Sequence, residues 1–561
     1  MRVLGIWDGH DAGAAIVDGN RIIVAINEER LSRRKLDVGF PFRSIKACLD
    51  YAKLRPSDIG IVAASTSDFA KTLTRVFPSM KEKYYLLRRR KSEQKATRWK
   101  KGFKYRTTEW GSSFATAKIS KLVLRRKLNK MDFQHYKLYI VDHHISHAAA
   151  AAMTAPFNKS AVVTLDGVGD GLSGSVNLFD TQNGLQRIKE ISSHDSLGIF
   201  YEHVTNLLNM RELEDEGKVM AMSDFAYNVE ENPMSDFFEI NGLGIKAKYS
   251  VMEEYKKLKD ILWHTPSEQF AAMAQSALEN WLVKYFENVI AETGMNNIAW
   301  SGGIASNIKA NRKIRILESL NDWFVFPHMG DGGLALGSAM YINNMLTGVN
   351  HYDLNNVYLG PQHSHDEMEA VLKKCALQYE ERKDIDKIAA ELINRGKIVF
   401  WFQGRMEYGP RALGNRSILA SAFDESVKEK LNLVIKKRVW YQPFCPTLLE
   451  QDAKKLFGDY SGRPDRFMTM GYFVRPQYMN LVKSIINVDS SARPQILGNE
   501  NPLYGKVLKR IRKQKGVGVT LNTSLNIHGQ PMVCSPEDAV RTLLESKNKY
   551  MCMGNFFVIN R

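Results

Sequence analysis

Residues 160–180 read SAVVTLDGVGDGLSGSVNLFD, and residues 2–18 read RVLGIWDGHDAGAAIVD. Each opens on an apolar run of strand character, breaks at a loop of acids and glycines, and resumes as a second apolar run. One scheme used twice predicts a duplicated α/β architecture, with the two openings facing one nucleotide in the cleft between them. Outward from 2–18, Gly19-Asn20 is a two-residue hairpin signal leading into RIIVAINEE. A helix is expected over 44–54, then a strand, IGIVAAS, and a later strand, KLYIVD, that runs into HHISHAAAAAM. Alanine favours helix, so this last segment is predicted helical. Outward from 160–180, a long amphipathic helix is expected over 267–293. NIAWSGGIASNIKANRKI and WFVFPHMGDGGLALGSAMYINNML each read strand, glycine turn, helix.

Polar residues 347–365, with Gly360-Pro361, predict a boundary. The expected domains are 1–350, with subdomains of about 1–155 and 156–350, and 366–561. The second holds strand KIVFWF, the loop QGRMEYGPRALGNRS, strand GVGVTLN and a helix capped by Ser535 with Pro536 in its first turn.

The net charge is +17, and its surplus is uneven. Residues 81–106 hold twelve Lys or Arg against Glu82 and Glu93. The basic insert, about 80–110, is therefore judged alone. It reads as a lid or acceptor-recognition element, an RNA-binding patch with interleaved aromatics, or a patch for anionic lipid. Five cysteines without a C-x-x-C pair argue against a disulfide framework or a thiolate zinc site. With no signal-peptide layout and no apolar run near ~20 residues, a cytoplasmic location without a transmembrane segment is expected.

His143 and His147, four apart in a helical segment, share one face and suit a divalent metal. The alternative is two solvated histidines at a helix start. Asp166 and Asp331, each in an acid-glycine turn after an apolar strand, could bring carboxylates to the same cleft. In the first loop His10 is either a general base or a loop cap, with Asp8 and Asp11 beside it. Lys35 could meet a phosphate or be solvated. Ser301-Gly302-Gly303 could approach a nucleotide closely. Arg405, Arg411 and Arg416 in one glycine-rich loop, with Arg493, Asn522, Thr523, Ser524 and Asn526, read as an oxyanion site.

These pieces resemble the nodulation-type O-carbamoyltransferase family, which includes tobramycin and cephalosporin carbamoyltransferases. The resemblance rests on HDAGAAIVDG, INEERLSRRK, VDHHISHAAAA, LDGVGDG, EGKVMAM, SGGIASN, GDGGLALGSA, GRMEYGPRALGNRSIL and LNTSLNIHGQP, in order along nearly the whole chain. It is weakest in the basic stretch. It implies an actin/hexokinase/Hsp70-like (ASKHA) first domain, similar to the tRNA threonylcarbamoyltransferase catalytic subunit, and a YrdC-like second domain. It implies that carbamoyl phosphate and ATP (with Mg²⁺) yield carbamoyl adenylate, whose carbamoyl group passes to an acceptor hydroxyl near an iron(II)-type metal. On this resemblance His143, His147, Asp166 and Asp331 hold the metal, and Asp166, Asp331, Gly302, Gly303 and Lys35 meet the nucleotide-linked intermediate. His10 is the catalytic base and Asp8 an acceptor contact. Arg411, Arg416, Arg493, Asn522 and Ser524 form the carbamoyl-phosphate pocket.

One position departs. In YQPFCP, Gln442 stands where the family shows arginine, so a cationic contact is missing or comes from Arg438. The acceptor is read as a small molecule or glycolipid, and a homodimer stays open. The rival readings are a tRNA-modifying transferase and a non-catalytic nucleotide-binding protein.

Overall fold

Val3 to Trp7 are buried on both faces, as suits a strand in the middle of a covered sheet. In the computed structural model, which describes residues 1–89, 109–227 and 231–560, this is β1 (Arg2–Trp7). It pairs antiparallel with β2 (Gly13–Asp18), which pairs antiparallel with β3 (Arg21–Asn27). On its other side lie β4 (Ile61–Ser65) and β5 (Lys137–Val141), both parallel to it. The order is β3-β2-β1-β4-β5.

A second sheet repeats this plan. β6 (Lys159–Gly169), β7 (Leu172–Asp180) and β8 (Gly184–Ser192) form an antiparallel meander. A hairpin, β9 (Phe238–Asn241) and β10 (Gly244–Ala247), stands apart. Then β11 (Asn297–Ser301) and β12 (Asp322–Val325) add parallel to β6, giving β8-β7-β6-β11-β12. Strand count, order and direction match the first sheet, so the duplication is present in the topology. Between the sheets' strands run the helices His143–Ala152 and Leu334–Thr347, which pack on each other. Gly337 lets them touch, since a Cβ there would lie 1.9 Å from the Ser146 carbonyl oxygen.

The chain divides into two units. The first is Met1–Glu28 with Leu36–Leu354, and the second is Glu29–Lys35 with Asn355–Arg561. Two expectations shift accordingly. The second unit starts at 355, not 366, because Gly360 N–H donates to the Met406 carbonyl, Met406 N–H to Pro361, and the Tyr358 hydroxyl to Leu413. Residues 29–35 leave the first unit, because Arg30 donates to the Gly409 carbonyl (2.9 Å) and Arg33 to Met532 and Pro531 (2.6 and 2.8 Å).

The second unit is built on an eight-stranded mixed sheet. Its strands are β13 (Gln378–Glu381), β14 (Val399–Phe402), β15 (Arg416–Ser421), β16 (Cys445–Leu449), β19 (Gln495–Leu497), β20 (Val519–Ser524), β21 (Tyr550–Met553) and β22 (Phe556–Ile559). A small pair, β17 (Tyr472–Phe473) and β18 (Ser491–Ala492), lies apart. Ile385, Ala389 and Ile393 make a stripe at four-residue spacing on one helix. They pack with Val507, Leu508 and Ile511 of another helix around the fully buried Trp401. No helix among the described residues is long and apolar enough to cross a membrane.

Candidate functional site

The histidine helix starts where β5 ends. Asp142 caps it, its carboxylate accepting from Ile145 N–H at 2.9 Å. Asp170 accepts from His143 N–H at 2.8 Å and fixes the first turn further. His143 and His147 are buried, one turn apart, on the same face.

The acid-glycine segment of β6 differs from expectation. It is no turn at Asp166-Gly167. The strand continues to Gly169, with its register shifted between Leu165 and Gly169, and turns at Asp170-Gly171. A bulge re-aims a side chain without ending the strand, and here it turns the Asp166 carboxylate toward the histidines. Gly303 N–H donates to Asp166 Oδ1 at 2.8 Å. Only glycine permits that approach, since a Cβ at 303 would lie 2.6 Å from the same oxygen. Gly302 adopts φ +102° and donates to the Met329 carbonyl. The two glycines thus build the cluster's wall. Asp331 arrives from the other side, in the 3₁₀ turn Asp331–Gly333 before the Leu334–Thr347 helix.

The ligand atoms of His143, His147, Asp166 and Asp331 all lie within 4.8 Å of one another. His143 Nε2 is 3.2 Å from Asp166 Oδ2 and 3.6 Å from Asp331 Oδ1, and His147 Nε2 is 3.6 Å from both oxygens. Each Nδ1 is turned away and held by a hydroxyl: Thr66 Oγ1 at 3.1 Å for His143, Ser301 Oγ at 3.3 Å for His147. Orienting contacts of this kind are what metal-bound imidazoles require. Buried His147 Nε2 has no hydrogen-bond partner, a cost accepted where an ion completes the site. Two imidazoles and two carboxylates make a donor set that fits a divalent transition metal. Burial opposes charge on His143, but the Asp331 and Asp166 carboxylates outweigh it and raise its pKa to about 9. Burial would raise Asp166, yet the two histidines hold it well below the carboxylate range. His144 is no ligand. Burial and the neighbouring His143 press it down to about 3, and its ring bridges Thr164 and Leu172.

His10 stands at the rim, its Nε2 3.4 Å from Asp331 Oδ2. Asp8 has a different setting from an open acceptor contact. Its carboxylate is buried under a two-pronged grip from Arg75 (3.0 and 2.9 Å) and an ion pair with Lys71 (2.8 Å). Lys35 lies in the segment that belongs to the second unit, 3.5 Å from Glu29.

In the second unit Glu407 shapes the arginine loop, its Oε1 accepting from the N–H groups of Leu413, Asn415 and Arg416. The three loop arginines do not share one environment. Arg405 is spent on the Leu359 and Gly360 carbonyls. Arg416 is fully buried over the Phe402 ring at 3.8 Å and donates to the carbonyls of Gln403, Gly404 and Asn415, while its Nε and Nη2 lack partners. Arg411 is drawn down to about 9 by burial and by the charge of Arg493. Arg493 directs two donors at the Cys445 sulfur, at 3.0 and 2.8 Å, a fork whose geometry suits an oxyanion better than a thiol. Arg438 belongs to this group. Burial lowers it to about 10, and the charge of Arg493 adds to the effect. Asn522, the strand partner of Cys445, has a buried amide oxygen without a partner.

Ser524 meets a residue that no motif singles out. Lys436, at the end of the π-helical turn Leu431–Lys436, is buried and donates to the Ser524 hydroxyl (3.2 Å) and Asn526 Oδ1 (2.6 Å). In the run IKKRV it looks solvated. Thr66 was equally hidden, and its φ of 69° is the one local sign of a strained, purposeful position. Of the basic stretch, residues 90–106 lie outside the described residues, so its lid, RNA and lipid readings do too. Arg89 is paired with Glu214 at 2.5 Å.

Comparison with known proteins closes the question of family. The N-terminal carbamoyltransferase domain family matches residues 2–340, and the C-terminal one matches residues 390–560. Nodulation protein NolNO of Sinorhizobium fredii is 31% identical, over 98% of this chain and 79% of its own. A 3'-hydroxymethylcephem-O-carbamoyltransferase of Streptomyces clavuligerus is 29% identical, over 72% of this chain and 77% of its own. A Methanocaldococcus jannaschii protein, MJ1051, is 30% identical over 99% of both chains. A histidine and carboxylate cluster in one unit and a cationic group in the other therefore sit in a chain that belongs to the carbamoyltransferase family and is a carbamoyltransferase enzyme.

Proposed function

We propose that this enzyme is an ATP-dependent O-carbamoyltransferase that uses carbamoyl phosphate, makes carbamoyl adenylate in its second unit and carbamoylates an acceptor hydroxyl in its first. The convergence of four ligating side chains with His10 at their rim carries this reading. The twin sheet order supports an ASKHA-type first domain, and the second unit is taken as YrdC-like.

In the second unit Arg411, Arg438 and Arg493 receive the phosphate of carbamoyl phosphate, Arg438 filling the role left by Gln442. Water cleaves that phosphate away and leaves carbamate. A carbamate oxygen attacks the α-phosphorus of ATP, and pyrophosphate departs. In the first unit the acceptor oxygen attacks the carbamoyl carbon, the bond to AMP breaks, and the hydroxyl proton passes to the His10 imidazole. The Asp331 carboxylate steadies the imidazolium that forms. His143, His147, Asp166 and Asp331 would hold a divalent cation, iron(II) by family resemblance, which when bound supplies Lewis-acid polarisation.

His10→Ala tests the division of labour. Carbamoyl-phosphate-dependent pyrophosphate release is expected to persist, while carbamoylated product falls about 10²- to 10⁴-fold by mass spectrometry of a metabolite extract. Loss of both half-reactions would sink the assignment.

A further inference from the structure

The loop that carries His10 also walls a cavity of about 450 Å³ in the first unit, within the range of small-molecule sites. Asp8, Phe40, Phe42, Arg75, Lys81 and Lys127 line it. Asp8 answers three cations: Arg75 and Lys71 on its carboxylate and Lys81 on its carbonyl. Lys127 is a fourth, 5.4 Å above the Phe40 ring. Glu82 is the other acid on the wall, so the lining cations Arg75, Lys81 and Lys127 exceed the lining acids by one. Burial pulls Lys81 well below its ordinary range, with Lys71 adding to the effect, and burial lowers Lys127 as well. Arg75 and Lys71 are answered by the Asp8 carboxylate, whereas among the described residues Lys81 and Lys127 form no ion pair with a carboxylate. Phe42, largely exposed, packs edge-on against Phe40 at 4.7 Å and gives the mouth an apolar face.

The cavity adjoins the chemistry. Asp8 is two residues from His10, a span of at most ~7 Å along the backbone. Arg75 donates to the Thr66 carbonyl at 2.7 Å, and the Thr66 hydroxyl meets His143.

We propose that this cavity is the acceptor's anchor, taking the phosphate of a phosphorylated sugar between Lys81 and Lys127 with Phe42 against its carbon skeleton. The assignment rests on the transferase reading above and names the acceptor's class. A phosphate ester carries a charge of about −1.5 to −2 at neutral pH, enough to answer both Lys81 and Lys127. Asp8 then has a positioning role, gathering the cations and not meeting the acceptor itself.

Calorimetric titration of the full-length protein tests this with glucose 1-phosphate and with glucose as probes. Glucose 1-phosphate should bind saturably and at least about tenfold more tightly than glucose. Lys127→Glu should weaken it about tenfold or more, and Phe42→Ala should weaken it too. Lys397→Glu, an exposed site in the second unit with the same charge change, should leave it unaltered. Absent binding, equal binding of glucose, or equal losses in the Lys127 and Lys397 variants overturns the proposal. Matching thermal melts exclude misfolding of the variants. Pyrophosphate release by the wild-type protein is measured in the same preparation. Its absence would count against the transferase mechanism, whereas binding failure beside intact release removes the anion pocket alone.

Discussion

His147 Nε2 is a buried atom without a hydrogen-bond partner, 3.6 Å from the carboxylates of Asp166 and Asp331, where the proposed cation would sit. His147→Ala should therefore abolish retention of a divalent ion, read by elemental analysis, while leaving the fold intact. Gly303→Ala should act nearly as strongly from outside the ligand set. Its new methyl would displace the Asp166 carboxylate, and ion content and product should fall together. His143, with a pKa of about 9, is protonated at neutral pH without an ion. Metal ligation needs the neutral ring, so adding Fe²⁺ or Mn²⁺ at pH 7 should release a proton, a release that fades above about pH 9. The sign for stability follows. The chelated protein keeps the contribution of this histidine fully below about pH 6.5 and loses it as pH rises through about 9. Flat proton release across that window counts against the assigned ring. At this scale the histidine pair was legible because helix spacing is local. Arg75 and Lys71 around Asp8 were not, because they lie more than sixty residues along the chain, and Lys436 looked like any solvated lysine.

Elements position these atoms. The helix that presents both histidines depends on the Asp142 cap, which also pairs with Arg187. Asp142→Ala should cost about 1 kcal/mol through the cap, seen as a lowered thermal midpoint, and should weaken ion binding before it abolishes it. An unchanged midpoint would mean that Asp170 alone holds the first turn. Repeated strand, loop and strand openings made the sheet duplication legible, because alternation and glycine breaks are written in contiguous residues. The β6 bulge was not legible. LDGVGDG offers two acid-glycine pairs, and which one turns the chain is decided by pairing with β7.

For the whole molecule, the segment Glu29–Lys35 is the departure from a simple two-domain chain. Arg33→Ala removes two carbonyl contacts and a neighbour of Asp538, at 3.5 Å. It should destabilise the second unit by about 1–3 kcal/mol. Hydrogen exchange should quicken around residues 525–534, with peptides from β6 and β7 unchanged. A uniform rise across both units would contradict the assignment of this segment. Nothing in SRRK marks it as foreign to its neighbours, since three cations in a row read as surface until their acceptors are known.

That segment has a consequence for synthesis. Arg33 and its acceptor Met532 are separated by 499 positions. At ~5–20 residues per second, the ribosome needs roughly half a minute to two minutes between making one and making the other. Until then the basic peptide at residues 29–35 waits without the carbonyls that accept from Arg33. Residues 531–532 thus complete a structure begun at residues 29–35, and a product that stops short of them leaves that segment without its acceptors.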